Sequence, residues 1–235
     1  MIGLGTIVNT LAVVAGGLLG LMIKGGLKER YQEILMQALG LATLFIGISG
    51  AMSGMLKIAA NQLETEGTIL LICSLVFGSL VGEWMNIEKR LDDLGVWMKD
   101  KVKAKNDSSF VDGFVTSSLV ICVGAMAIVG ALQDGLTGDG STLFAKSILD
   151  FGIVIVFAST LGIGVVFSAI PLFVYQGTIT LFASFLKPFL TEMVISNLSL
   201  VGSVLIFAVG INVCFGKKIK VGNMLPAMIV PFFFH

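Results

Sequence analysis

The sequence predicts an all-α protein: a polytopic transmembrane helical bundle of about seven membrane segments, forming one domain over residues 1–235. Two observations of composition lead to this prediction. Hydrophobic residues make up 56% of the chain and charged residues only 13%, against roughly 25% charged residues in a typical soluble domain. Apolar runs of the length that crosses a bilayer recur along the chain. A soluble fold would need more polar surface, so the apolar residues must face lipid or each other.

Seven apolar runs are long enough, or nearly long enough, to cross a membrane. They are residues 2–23, 34–56, 67–86, 110–132, 147–170, 172–187 and 193–215. The first run lacks a basic leader and a cleavage site, so we expect it to be retained. The sixth is short. A last apolar stretch, 223–235, contains Pro226 and Pro231, and a half-helix, a re-entrant piece and an eighth crossing all stay open for it.

The basic residues indicate that the N-terminus lies outside the cell. The stretches after the first, third and seventh runs carry three, six and three Lys or Arg residues, whereas the remaining stretches carry only Lys57, Lys146 and Lys187. Short loops rich in Lys and Arg stay in the cytoplasm. Residues 87–109 mix charges with apolar residues at helical spacing, so we expect a cytoplasmic amphipathic connector at the membrane interface. Partner docking and a solvated linker both remain open for it.

Glycines repeat between the first and third runs. Gly5-Thr6-Ile7 recurs 62 residues later as Gly67-Thr68-Ile69. Two pairs of glycines four residues apart align at the same offset, Gly16 and Gly20 with Gly78 and Gly82. Small residues at this spacing let two helices approach closely in lipid, and helix packing is the simpler interpretation. The alternative is an internal repeat relating segments one and three, as in many secondary transporters.

Five short motifs together resemble one bacterial family. They are Gly5-Thr6-Ile7-Val8-Asn9-Thr10, Gln133-Asp134-Gly135, Gly162-x-Gly164-x-x-x-Ser168, Gln176-Gly177 and Gly222-Asn223-Met224-Leu225-Pro226-Ala227. Distributed over nearly the whole chain, they are similar to the bacterial membrane-protein family catalogued as domain of unknown function 554. The resemblance implies a multi-pass protein of the bacterial plasma (inner) membrane, sometimes described as a transporter. It implies no catalytic or binding residues.

Polar residues at membrane depth are the candidates for a substrate path, because they are costly there and are often functional. Asn9 and Asn212 each offer a donor and an acceptor, suited to a neutral solute, a cation or an interhelical hydrogen bond. Gly162 and Gly164 point to unwound backbone of the kind that binds substrate in transporters, although a buried tight turn explains them equally well. The predicted path comprises Asn9, Ser159, Thr160, Gly162, Gly164, Ser168, Gln176, Thr178 and Asn212.

Acidic residues cluster between the fourth and fifth runs. We hypothesise that Gln133, Asp134, Asp139 and Asp150 flank an aqueous outer loop and form an outward mouth that collects cations. The alternative is a set of ordinary loop carboxylates, with Asp150 near the outer interface, where it is favourable with the helix dipole. The carboxylate spacing does not fit a calcium-binding loop.

The sequence argues against several classes of function. His235 is the only histidine and the last residue, so Ser-His and H-E-x-x-H chemistry have no histidine available. No phosphate-binding motif is present, so the chain does not drive transport with ATP by itself. The three cysteines lie in apolar runs without zinc spacing, and the zero net charge gives no reason to expect a nucleic-acid partner. We therefore expect no enzyme activity, no metal and no cofactor.

The predicted function is a membrane transporter or channel-like permease for a small solute or ion. Few intramembrane charges favour a neutral or zwitterionic solute, or a cation held by carbonyl groups. We expect a homo-oligomer, with a dimer favoured, surrounded by membrane lipid. The alternative is a non-transporting scaffold or sensor that recruits a cytoplasmic partner through the 87–109 helix.

Overall fold

The structure, a computed structural model, describes residues 1–24, 28–59, 62–101, 108–122 and 125–233. The chain in these ranges is mainly α-helical. The helices are α1 (Leu4–Lys24), α2 (Glu29–Met55), α3 (Thr68–Met85), α4 (Ile87–Lys101), α5 (Phe110–Cys122), α6 (Ala125–Thr137), α7 (Ser141–Leu161), α8 (Gly164–Phe167), α9 (Ala169–Leu181), α10 (Ala183–Leu186), α11 (Glu192–Phe215) and a C-terminal 3₁₀ helix (Val221–Phe233). Two short antiparallel strands, β1 (Leu56–Ala59) and β2 (Gln62–Thr65), connect α2 to α3. The predicted all-α class is confirmed.

Six helical stretches in the described ranges are long and apolar enough to cross a membrane. They are Leu4–Ile23, Glu33–Met55, Thr68–Met85, Ser141–Leu161, Gly164–Leu181 and Glu192–Phe215. The two shorter helices α5 and α6 form a pair bent by 62°, and the number of candidate spans is seven if this pair is one span. The count of about seven therefore holds at the level of six or seven candidate spans.

The predicted boundary between the fifth and sixth segments was wrong. Span five is α7, which begins at Ser141 and ends at Leu161, and span six begins at Gly164. Gly162 has a φ of 85°, which residues with a side chain rarely adopt, and a Cβ on Gly164 would collide with the Phe110 carbonyl. The glycines thus form the tight turn between two spans rather than an unwound stretch inside one.

Contacts along the chain define two compact units. The first comprises Met1–Leu39, Leu91–Cys122 and Met126–Lys187, and the second comprises Gly40–Arg90, Val123–Ala125 and Pro188–His235. The prediction of one transmembrane domain over 1–235 stays a prediction.

In the first unit, α1 lies along α7. Their backbones approach closely because α1 has glycines at the contact, and a Cβ on Gly16 would lie 2.7 Å from the Phe151 carbonyl oxygen. Gly5 meets Leu143 near the start of α7 and Gly20 meets Ile155 further along, so the two helices run parallel. The core beside them contains buried side chains from five helices, among them Val13, Ile121, Val154, Val165 and Leu172.

In the second unit, glycines again define the helix contacts. Gly40 of α2 meets Cys214 of α11, and Gly54 meets Leu200, so these two helices are antiparallel. α3 packs on the C-terminal 3₁₀ helix, where Cβ atoms on Gly78 and Gly82 would collide with the backbone of Ala227 and Asn223. Both pairs of repeated glycines therefore have the packing role that was the simpler interpretation.

The predicted connector over 87–109 is helical from Ile87 to Lys101, and residues 102–107 lie outside the described ranges. Its buried Met98 packs against Phe110 and Phe114 of α5. Trp97 on the same helix is 57% exposed. The helix is thus amphipathic, with one apolar position packed on α5.

Candidate functional site

A buried ion pair lies inside the fifth span. Lys146 and Asp150 are one helical turn apart on α7, and the Lys146 Nζ lies 2.7 Å from Asp150 Oδ1 and 2.6 Å from Oδ2. The two side chains are only 9% and 5% exposed. We predicted both residues at an aqueous outer loop, and this placement was wrong because α7 starts at Ser141, before both of them. The expectation of few intramembrane charges is corrected by the same observation.

Two amide side chains complete this group. Asn9 of α1 donates from Nδ2 to Asp150 Oδ2 at 3.1 Å and to Gln176 Oε1 of α9 at 3.3 Å. Asn9 and Gln176 are both fully buried. We call Asn9, Lys146, Asp150 and Gln176 the buried polar cluster. It joins three candidate spans of the first unit through side-chain hydrogen bonds alone.

One end of each amide in the buried polar cluster has no partner. Asn9 Oδ1 and Gln176 Nε2 are buried and make no hydrogen bond to any described residue. The Asp150 carboxylate needs a donor, so the Asn9 NH₂ faces Asp150 and its oxygen faces away. Leaving a buried polar group unpaired costs about 1–3 kcal/mol, and such groups in native structures often have a functional reason. The cluster therefore holds a free acceptor and a free donor on two adjacent amides.

A second buried carboxylate holds the start of α1. Asp134 is fully buried and accepts hydrogen bonds from the Gly3 and Gly5 backbone amides at 3.2 and 3.1 Å. The Gly5 amide belongs to the first turn of α1 and the Gly3 amide immediately precedes it. Amides at a helix start lack partners within the helix, and negative charge is favourable there. Asp134 is therefore a helix cap, and its predicted place in an aqueous mouth was wrong.

A pair of hydroxyl side chains also links α1 to α9. Thr180 Oγ1 donates to the Ala131 carbonyl at 3.1 Å, so Thr6 Oγ1, 3.3 Å away, is the donor between the two hydroxyls. Thr6 meets Thr180 while Asn9 meets Gln176, so α9 runs antiparallel to α1.

The remaining residues of the predicted mouth, Gln133 and Asp139, contact each other near the start of α7. Gln133 Nε2 donates to Asp139 Oδ2 at 2.8 Å, and the Ser141 amide donates to Asp139 Oδ1 at 3.0 Å. The hydrogen bond from the Ser141 amide, and secondarily that from its hydroxyl, lowers the pKa of the Asp139 carboxyl. Asp139 thus lies in an exposed turn before α7 and Gln133 is half-buried near the end of α6, whereas Asp134 and Asp150 are buried. In the described parts of the chain, no three His, Cys, Asp or Glu side chains are grouped so as to hold a metal ion.

Most of the predicted path residues do not belong to the buried polar cluster. Ser159 and Thr160 donate to carbonyls of their own helix, which satisfies their hydroxyls. Thr178 is exposed and donates to the Val174 carbonyl. Ser168 donates to the Val165 carbonyl, so Ser117 is the donor in the 3.0 Å contact between the two serine hydroxyls.

Asn212 lies in the second unit and has a local role. Its Nδ2 donates to the Ile219 carbonyl, and its Oδ1 accepts from the Lys218 and Ile219 amides. These bonds hold the loop that follows α11. Of the predicted path, only Asn9 and Gln176 come together. Sequence reasoning missed Lys146 as their neighbour, although its spacing of four from Asp150 is the helical ion-pair signal.

Comparison with known proteins places the chain in a family. Residues 4–235 match a family described as "Protein of unknown function (DUF554)". The chain belongs to this family. It is 35% identical over 227 residues to the uncharacterized membrane protein YdfK of Bacillus subtilis, with 97% of this chain and 93% of the relative covered. It is 32% identical over 232 residues to the uncharacterized protein YqgA of Escherichia coli, with 97% and 94% covered.

No solved structure matches the chain. The resemblance inferred from the five motifs is confirmed by the family match. Family membership and six or seven apolar helices together identify a multi-span membrane protein.

Proposed function

We propose that the protein is a transporter or channel-like permease for a small solute or ion in the bacterial plasma membrane. The observation that carries the proposal is the buried polar cluster, with its ion pair and two amide atoms, Asn9 Oδ1 and Gln176 Nε2, that have no hydrogen-bond partner among the described residues. Ionisable groups within a membrane span are costly, usually pair with one another, and mark solute and ion pathways. Packing alone does not require a lysine, an aspartate and two amides at one contact between three helices.

The depth of the cluster fits this role. Asn9 is five residues beyond the start of α1, and Gln176 is five residues before the end of α9, which corresponds to about 7.5 Å along a helix axis. Asp150 is nine residues beyond Ser141, or about 13.5 Å. In a hydrocarbon core of about 30 Å, the cluster lies between a quarter and a half of the way across from one side.

We propose that this side is the outer one. The parallel α1 and α7 and the antiparallel α9 agree with first, fifth and sixth spans that alternate from an outside N-terminus. With Lys146 moved into a span, the loops assigned to the outside hold only Lys57 and Lys187, against twelve basic residues in those assigned to the cytoplasm. The internal repeat is part of the same proposal, since Gly16 and Gly78 each admit a backbone at the same place in their spans.

The partners and chemistry follow from this reading. We propose a homo-oligomer, with a dimer favoured because two-fold symmetric dimers are the commonest assemblies. The chain would act without enzyme activity, bound cofactor or ATP hydrolysis of its own, as expected from its motifs.

A scaffold or sensor is the second candidate function. The observation in its favour is α4, where Trp97 is exposed beside the docked Met98 and Lys101 lies 5.8 Å from the Trp97 ring centroid. Such a helix fits either a protein partner or the headgroup region of the membrane.

Flux measurements on reconstituted protein separate the two candidates. Proteoliposomes are screened with labelled neutral, zwitterionic, cationic and anionic small solutes, for the wild type and for two variants of α9. We expect Gln176→Met to lose flux, because it removes the free donor, and Thr178→Val to keep it, because Thr178 is exposed and bonded to its own helix. A wild type that moves no solute, and that co-purifies with a partner lost on deletion of residues 88–105, would establish the scaffold instead.

A further inference from the structure

We propose that the buried polar cluster binds a small zwitterion of the α-amino-acid class, an inference that rests on the transport function proposed above. The ammonium group of the solute would lie between Asp150 and Asn9 Oδ1. Its carboxylate would lie between Lys146 and Gln176 Nε2. The cluster thus offers two acceptors, Asp150 and Asn9 Oδ1, and two donors, Lys146 Nζ and Gln176 Nε2.

The charges of the cluster favour a solute without net charge. Lys146 and Asp150 neutralise each other, with both carboxylate oxygens within 2.7 Å of the Lys146 Nζ. A cation or an anion entering the cluster would leave one unit of charge without compensation at membrane depth, where burial of a lone ion is strongly unfavourable. A zwitterion brings one charge of each sign, so the site remains neutral before and after binding.

The hydrogen-bonding groups of the cluster favour a solute that carries both a donor and an acceptor. The two unpartnered atoms are an acceptor, Asn9 Oδ1, and a donor, Gln176 Nε2, and their amides meet at 3.3 Å through their other ends. A solute with only acceptors would leave Asn9 Oδ1 unpaired, and a solute with only donors would leave Gln176 Nε2 unpaired. An α-amino acid carries an ammonium donor and a carboxylate acceptor on one carbon, so it can satisfy both amides at once.

The Lys146–Asp150 ion pair keeps both charges compensated when solute is absent. Lys146 occupies the Asp150 carboxylate, and Asn9 and Gln176 are fully buried, so the cluster is almost entirely buried in this structure. On binding, Asp150 would exchange the Lys146 ammonium for that of the solute, and Lys146 would move to the solute carboxylate. Every charged group keeps an opposite partner throughout, which avoids the cost of an unpaired buried charge.

The test compares three solutes of similar size in proteoliposomes containing the full chain. Labelled glycine carries both groups, methylamine carries only the ammonium, and acetate carries only the carboxylate. We expect wild-type uptake of glycine, competed by unlabelled alanine and serine, and no saturable uptake of methylamine or acetate. Saturable flux of methylamine, acetate or an uncharged solute without glycine uptake would overturn the zwitterion inference and leave the transport function intact. No flux of any solute would overturn both.

Variants of the cluster sharpen the test. Gln176→Met should lower glycine uptake about tenfold or more, the effect of losing one hydrogen bond to a charged group. The double variant Lys146→Met with Asp150→Leu removes both charges together, so it avoids an unpaired buried ion and should still fold. It should lose glycine uptake while Thr178→Val retains it. Wild-type glycine uptake in the double variant would overturn the inference.

Discussion

Substitution of Gln176 tests whether its side chain binds solute or only holds the helices together. Its side chain accepts a single hydrogen bond, from Asn9 at 3.3 Å, and leaves Nε2 unpartnered among the described residues. Interhelical hydrogen bonds in membranes contribute about 0.6 kcal/mol on average, whereas an unpaired buried polar group costs about 1–3 kcal/mol. Methionine has a similar length, no strong polar atom and a flexible chain that fills irregular space. Gln176→Met should therefore leave the free energy of unfolding unchanged or raise it by roughly 0.5–2.5 kcal/mol, the difference of those two terms.

The measurement is equilibrium unfolding of purified protein in mixed detergent micelles, followed by tryptophan fluorescence, alongside flux in liposomes. Asn9→Leu is the contrasting variant, because it removes a donor from the buried Asp150 carboxylate and should cost about 1.5–3 kcal/mol. Stable Gln176→Met protein without flux is the expected result. If Gln176→Met instead loses more than about 1 kcal/mol, well above the mean value of such a bond, then Gln176 holds the helices together and the reasoning is refuted.

Three other predictions concern the first unit and its orientation. Gly16→Ala should destabilise the protein by about 1–3 kcal/mol through overpacking, because its Cβ would meet the Phe151 carbonyl. Gly152→Ala on the facing helix is the control: its Cβ would have no atom within 4 Å, so the substitution should be neutral or stabilising. Equal unfolding midpoints for the two variants would contradict this prediction. Asp134→Ala should lower the free energy of unfolding by about 1–2 kcal/mol and speed hydrogen exchange at the Gly3 and Gly5 amides, which donate to Asp134. Unchanged exchange at these amides would count against the capping role. In a cysteine-free background, Asp139→Cys should react with an impermeant maleimide in intact cells, since the N-out topology places this exposed turn outside the cell. Labelling only after lysis would show that the turn lies in the cytoplasm and would contradict the N-out topology.

The membrane architecture was predictable because it follows from hydropathy summed over long windows. Span boundaries were less so where a charge lies inside a span. A lone lysine is excluded from an apolar run, so the hydropathy pattern ends the loop at Lys146 and begins the fifth span too late. Its charge is tolerated because Asp150 lies one turn further along α7 and neutralises it.

The candidate site was only partly predictable for a different reason. Asn9 and Gln176 stand out as amides in apolar runs, but their contact depends on packing between helices 167 residues apart in sequence. Nothing in their local patterns gives that distance. Ser159, Thr160 and Thr178 looked equally polar, yet each satisfies its hydroxyl on its own helix, so hydroxyl residues carry less information about a site than amides do.

The conformation of the C-terminal segment changes how far it reaches. Thirteen residues, Val221–Phe233, would extend about 19.5 Å as an α-helix. As a 3₁₀ helix they extend about 26 Å, because the rise per residue is near 2.0 Å, which approaches the thickness of the hydrocarbon core. The 3₁₀ conformation thus makes up most of the length that thirteen α-helical residues would lack for a crossing.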